Sequence, residues 1–102
     1  MLFAVWARDR EGVLAERLRV REAHRSRLRS PAPHSLEVVL AGPTTGGVAE
    51  TMNGTLLVVR ADSLAEVRRF VDNDPYMQAD VYASVDIQPW RCGIGPESWN
   101  TP

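Results

Sequence analysis

Two short segments of this chain leave no polar side for water. In residues 2–7, Leu2, Ala4 and Trp6 oppose Phe3, Val5 and Ala7; in residues 55–61, Thr55, Leu57 and Val59 oppose Leu56 and Val58. Successive side chains of a strand point to opposite faces, so each segment, read as a strand, has to bury both of its faces. Such strands belong in the middle of a sheet.

The intervening sequence supplies their neighbours. Residues 13–28 are rich in Ala, Leu, Arg and Glu, with Leu14, Leu18, Arg21, Arg25 and Leu28 on one helical stripe, and Ser30-Pro31-Ala32-Pro33 stops the pattern, because proline has no amide proton and pushes its predecessor toward extended geometry. Residues 36–41 are β-branched and alternating and end at Gly42-Pro43; residues 44–53 are polar and glycine-bearing. This predicts a hairpin with a long tip joining the second and third strands. Ser63-Leu64-Ala65-Glu66 fits a capping box, Leu64, Val67, Phe70 and Val71 give the second helix its apolar stripe, and Asp74-Pro75 closes it. Val81, Ala83, Val85 and Ile87 alternate with Tyr82, Ser84, Asp86 and Gln88, a strand wet on one face. The order is βαββαβ, predicting an α+β, ferredoxin-like domain: a four-stranded antiparallel sheet with two helices on one face.

In that topology the helices cover one face only. The uncovered face, apolar in both central strands, would exceed the few hundred Å² that soluble monomers usually expose. A second copy of the chain is the expected cover, which predicts a homodimer. The competing reading is that the segment 93–102, with Ile94 and Trp99, folds back over this face; it carries too few large apolar groups to shield all of it. Residues 1–92 are accordingly read as the domain and 93–102 as a C-terminal tail.

Composition narrows the function classes. The chain has 102 residues, one domain's worth. Its 12 basic residues, all arginine, balance 13 carboxylates, so no net field recommends nucleic acid or an anionic membrane as partner. Cys92 is the single cysteine, which allows no internal disulfide or CxxC pair and favours a reducing compartment. The apolar run at the start breaks at Arg8-Asp9-Arg10 after too few residues for a signal-peptide core or a membrane span. Cytoplasmic residence is the expectation. No His, Cys, Asp and Glu group has metal-ligand spacing, and Gly46-Gly47 lacks the lysine and following helix of a phosphate loop; neither a metal nor another cofactor is expected. His34, after two prolines, is expected to be exposed.

Two residues suit proton transfer: His24 on the first helix and Asp74 at the end of the second. Histidine titrates near neutrality, and a carboxylate that fixes its tautomer makes it a usable general base. Arg21 lies one helical turn before His24, where a guanidinium can hold an anionic or phenolate oxygen. Tyr76 and Trp90 are the aromatic candidates for lining a pocket. Against this, a lone helical His with a distant Asp is commonly a packing or surface residue, and most of Arg17, Arg19, Arg21, Arg25, Arg27 and Arg29 must be solvated.

Arg21-Glu22-Ala23-His24, Ala41-Gly42-Pro43, Gly54-Thr55-Leu56-Leu57-Val58, Asp74-Pro75-Tyr76 and Pro89-Trp90 follow one another in this order. Together they resemble the YciI-like (YCII-related) family from the first strand to about Arg91. The resemblance implies a dimeric α+β barrel in which His24 and Asp74 form a dyad lining a pocket, and a chemistry of the kind that eliminates from a hydroxylated chloroaromatic. This chain departs from the family's pattern in lacking a glycine before the second strand and in its longer tail, from which Trp99 could cover or vacate the opening. The expected function is a cofactor-independent lyase, isomerase or hydrolase acting on a small phenolic or carbonyl compound. Its alternatives are a non-catalytic metabolite-binding or accessory module of the same fold and a purely structural subunit.

Overall fold

Strand β1 (Leu2–Asp9) runs up the middle of the molecule, hydrogen-bonded on one side to β3 (Thr51–Ala61) and on the other to β4 (Tyr82–Trp90); β2 (Leu36–Gly46) completes an antiparallel sheet of order β2-β3-β1-β4. Helix α1 (Leu14–Arg29) links β1 to β2, and α2 (Leu64–Asp72) with a single turn, α3 (Pro75–Gln78), links β3 to β4. The computed structural model describes residues 1–100, so the last two positions of the predicted tail lie outside the described residues. Both helices lie on one face, as the ferredoxin-like reading requires. No helix among the described residues is long and apolar enough to cross a membrane.

The helix-covered face holds the main core: Phe3 and Val5 of β1, Leu57, Val59 and Ala61 of β3, and Val67 and Val71 of α2. Phe70 of α2 is fully buried as well. Ser63 caps α2 by accepting from the Glu66 amide at 3.2 Å. The Glu66 carboxylate does not return the bond. It accepts from the Ser35 amide instead, at 3.2 Å, and pairs with Arg69, so half of the predicted capping box is spent on tying α2 to the start of β2.

Four local expectations need correcting. The hairpin tip is short: β2 continues to Gly46 and β3 begins at Thr51, with Gly47 and Glu50 at positive φ in the turn. The extra ladder projects past the core, and Thr44 Oγ1 donates to Asn53 Oδ1 across it at 2.7 Å. Leu14 and Leu18 are 37% and 52% exposed, while Arg17 and His24 are the buried residues of α1; this helix turns a polar stripe inward. The alternation in the last strand breaks at a bulge opposite Arg8 and Asp9, which turns Tyr82 to the helix side in phase with Val85 and Ile87. His34 is not free in solvent but packs edge-on to Phe70 and accepts from Arg27 Nη2 at 3.3 Å.

The other sheet face is partly covered from within the chain. Cys92 and Trp99 pack on Leu2 and Val58 with Val39 beside them, so the tail lies on the open face as its apolar residues allowed, and Trp99 is placed there. Ile94 stays fully exposed. Beyond the tail, Trp6 and Leu56, paired across β1 and β3, and Leu40 on β2 remain 43%, 49% and 52% exposed.

Candidate functional site

Asp74 precedes Pro75, whose fixed φ suits the first position of a helix, and its carboxylate caps α3 by accepting from the Tyr76 amide at 2.8 Å. The side chain therefore belongs to the start of α3 rather than to the end of α2. From this anchor it faces α1, where His24 places Nδ1 at 2.9 and 2.8 Å from the two carboxylate oxygens. Both groups are buried, His24 to 5% and Asp74 to 3% exposure. Arg27 of the same helix brings Nη1 to 3.8 Å from Asp74. Burial pulls the Arg27 guanidinium below its ordinary range and the Asp74 charge pushes back.

A carboxylate only accepts, so it holds the hydrogen on Nδ1 and leaves the Nε2 lone pair of a neutral imidazole free. Nε2 has no protein partner among the described residues, and His24 lines a cleft of about 330 Å³ between α1 and the β2–β3 hairpin. The Tyr76 ring stacks on the imidazole at 4.0 Å between centroids. Burial raises the Tyr76 hydroxyl, with Arg17 and Arg21 pulling against it, and Tyr76 lines the cleft.

Arg17, Arg21, Arg25 and Arg29 recur every fourth residue of α1 and all line this cleft, with Leu28, Ala41, Pro43 and Met52 as apolar wall and no carboxylate among the lining residues. Arg25 is paired to Glu22 at 3.1 Å, whereas Arg21 and Arg29 have no carboxylate partner among the described residues. Arg17 is different in kind from the rest of the ladder. It is 2% exposed, donates from Nη1 to both oxygens of Asp9 at 2.9 and 3.1 Å and from Nη2 to Thr55 Oγ1 at 2.8 Å, and lies 4.4 Å above the Tyr76 ring. Burial raises the Asp9 carboxyl, only partly offset by Arg17. Tyr82 reaches the same Thr55 oxygen with its hydroxyl at 2.8 Å, and burial pushes that phenol far above its usual range.

Of the residues singled out from sequence, the structure thus brings together His24, Asp74, Arg21 and Tyr76. Trp90 is not among them: it pairs with Leu2 at one end of the sheet, whereas Thr55 pairs with Ala7 near the other. Arg17, Thr55 and Tyr82 were missed. Thr55 could have been noticed as a polar residue in the buried phase of an apolar strand, and Arg17 as the residue two helical turns before His24. Among the described residues no group of three or more His, Cys, Asp or Glu side chains is placed to hold a metal ion.

The comparisons with known proteins agree with one another. A family model described as the YCII-related domain matches residues 1–91. Protein YciI of Escherichia coli O6:H1 is 30% identical over 96 residues, covering 89% of this chain and 97% of that protein; a protein of Haemophilus influenzae is 28% identical over the same span. In structure the chain is similar to 5-chloro-2-hydroxyhydroquinone dehydrochlorinase (TftG) from Burkholderia phenoliruptrix AC1100, solved in complex with 2,5-dihydroxybenzoquinone: TM-score 0.78, 33% identity, 91% of this chain and 96% of that one. A NIPSNAP domain protein from Burkholderia xenovorans, at TM-score 0.53 and 16% identity, shares the fold alone. With its sheet order, its helices on one face and a family match from Met1 to Arg91, the chain belongs to the YCII-related family.

Proposed function

We propose that the cleft beside His24 is the active site of a cofactor-independent small-molecule enzyme whose substrate is an oxygenated, anionic or readily ionised compound of the phenolic or carbonyl class. The observation that carries this reading is an imidazole with Nδ1 held by both oxygens of Asp74 and Nε2 left unpartnered in a cleft lined by arginines without a carboxylate. His24 Nε2 takes a proton from the substrate. The electron pair left behind becomes a new double bond, and the leaving group departs with its own bonding pair; the net change is loss of HX, with no oxidant required. Asp74 orients the base and stabilises the imidazolium. Arg21 and the Tyr76 hydroxyl face the charge that develops on the substrate oxygen. That TftG is a dehydrochlorinase supports an elimination as the reaction class.

The reading is tested with 5-chloro-2-hydroxyhydroquinone by chloride release. Wild type is expected to release chloride above the spontaneous rate and His24→Ala to fall to it while keeping its circular dichroism. Binding without turnover in wild type would instead favour a metabolite-binding module.

The working unit we propose is a homodimer joined through the open sheet face. Trp6, Leu40 and Leu56 form an apolar patch across the three strands that the tail leaves bare, and burying such a patch is worth about 25 cal/mol per Å² of apolar surface. Sedimentation velocity should give a dimer for wild type and a monomer for Leu56→Glu; a monomeric wild type at micromolar concentration would refute the proposal.

A further inference from the structure

A threonine hydroxyl has one proton to donate and two lone pairs to accept with. At Thr55 both lone pairs are taken. Arg17 Nη2 lies 2.8 Å from Oγ1 and a guanidinium has no acceptor, so this bond runs one way only. The second contact, with the Tyr82 hydroxyl at 2.8 Å, joins two groups that can each donate. Its direction follows from what is left over. Tyr82 is buried and does not line the cleft, and its hydroxyl has no other partner among the described residues. Were Thr55 the donor, the Tyr82 proton would be stranded in the core; with Tyr82 as donor, the proton left over belongs to Thr55, which lines the cleft.

We propose that Thr55 is a substrate-binding residue whose hydroxyl, fixed by Arg17 and Tyr82, donates its proton to an acceptor oxygen of the cleft's occupant. The ligand class this selects has a carbonyl or phenolate oxygen at the sheet-side wall of the cleft, in addition to the group that meets His24 on the helix side. The donor is preorganised. Thr55 sits in a central strand paired on both sides, with Ala7 and with Pro43, and Arg17 is held in turn by both oxygens of Asp9 and by the face of Tyr76. Because Arg17 has no acceptor and the Tyr82 contact is already occupied by the Tyr82 proton, the Thr55 proton has no internal partner, and no internal bond has to break when a ligand oxygen arrives. Tyr82 touches no ligand and acts as a positioning residue through Thr55.

The proposal deepens the reading of the cleft as a small-molecule site but does not depend on catalysis there. It is tested by calorimetric titration of 2,5-dihydroxybenzoquinone into wild type, Thr55→Ser, Thr55→Val, Tyr82→Phe and the Thr55→Val/Tyr82→Phe double variant. Thr55→Ser, which keeps the hydroxyl, is expected to bind within about threefold of wild type, and Thr55→Val to bind about tenfold more weakly, the net worth of one hydrogen bond. Tyr82→Phe should weaken binding a few-fold, with the double variant no weaker than Thr55→Val alone, since a residue acting through Thr55 has nothing to act on once the hydroxyl is gone. If Thr55→Val does not fold, Thr55→Ala, which leaves room for water at Arg17 and Tyr82, makes the same comparison. Wild-type affinity in Thr55→Val, fully additive losses in the double variant, or no binding of the probe by wild type at millimolar concentration would each overturn the assignment. Failure here stays separable from failure of the proton-transfer reading. If His24→Ala loses chloride release while Thr55→Val binds normally, only the Thr55 role falls; if Thr55→Val loses binding while His24→Ala turns over normally, only the base falls.

Discussion

Replacing Asp74 by Asn separates what this residue does for the fold from what it does for His24. Oδ1 accepts from the Tyr76 amide at 2.8 Å, and an asparagine carbonyl keeps that cap. Its amide nitrogen then occupies the place of Oδ2, 2.8 Å from His24 Nδ1. The retained carbonyl oxygen lies 2.9 Å from Nδ1 and competes for its hydrogen, but an amide nitrogen only donates, and its hydrogens meet an Nδ1–H head-on at the shorter contact; moving the hydrogen to Nε2 relieves that clash and removes the lone pair from the cleft. Forcing the wrong tautomer in a serine-protease triad costs about 10⁴ in kcat, and a loss of about 10³ to 10⁴ is expected here. The fold should survive. A charge-assisted bond becomes a neutral one, and the buried Arg27 Nη1, which makes no hydrogen bond, loses the carboxylate 3.8 Å away; together these amount to about 2 kcal/mol against a domain stability of about 5–15 kcal/mol. Asp74→Ala should be less stable by about a further 1 kcal/mol, because it also loses the cap. Nitrogen-15 NMR of His24 reads the tautomer, urea titration the stability, and chloride release the activity. A variant with hydrogen still on Nδ1, or with turnover within tenfold of wild type, would refute the assignment of Asp74 as the group that sets the base.

Further expectations concern the support behind the site. Arg17→Met strands the Asp9 carboxylate, buried to 5% side-chain exposure; urea titration should show a loss of about 3–5 kcal/mol, with Asp9→Asn on the same background recovering part of it, and a loss below 1 kcal/mol would mean that water reaches the pair. A Cβ at Gly54 would lie 2.5 Å from the Ala7 carbonyl oxygen and from Thr44 Oγ1, so Gly54→Ala must push strands apart beside Thr55 and should cost about 2–3 kcal/mol by thermal or urea unfolding; an unchanged midpoint would contradict the close approach. Burial raises the Tyr82 phenol above its ordinary value of 10.0, so the unfolded chain releases this proton before the folded one does. The stabilisation is complete below about pH 9 and fades as pH rises past 10. The stability gap between wild type and Tyr82→Phe should therefore narrow on going from about pH 9 to about pH 11, and a gap independent of pH would show the phenol to be solvated.

The order of elements and the sheet were legible because period-two burial writes itself into β1, β3 and most of β4. A strand that must bury Phe3, Val5 and Ala7 on one side and Leu2 on the other has few places to go. The arms of the β2–β3 hairpin were less legible, since residues 42–54 leave the core and no apolar alternation marks them. In β4 one bulge residue changes the phase, and the alternation then assigns Tyr82 to the wrong face. The first helix misled for a different reason. Amphipathic patterning looks for grease facing inward, and α1 turns in Arg17 and His24 while Leu14 and Leu18 face out.

That inversion also explains why the pairing of His24 with Asp74 was suggested by residue type and by short motifs and not by periodicity. His24 and Asp74 are fifty positions apart, and no periodicity connects them; what does is a proline that starts α3 and turns its cap toward α1. Beside the apolar contacts of Val20 and Leu28, the polar bonds that dock α1 on the rest of the molecule, His24 to Asp74 and Arg17 to Asp9 and Thr55, are the bonds that shape the cleft. Here loss of Arg17 or Asp74 loosens the helix that carries His24, so variants at these positions should lower stability and turnover together, whereas Arg21, which lines the cleft but has no ion-pair partner among the described residues, can be changed to alter turnover at nearly constant stability.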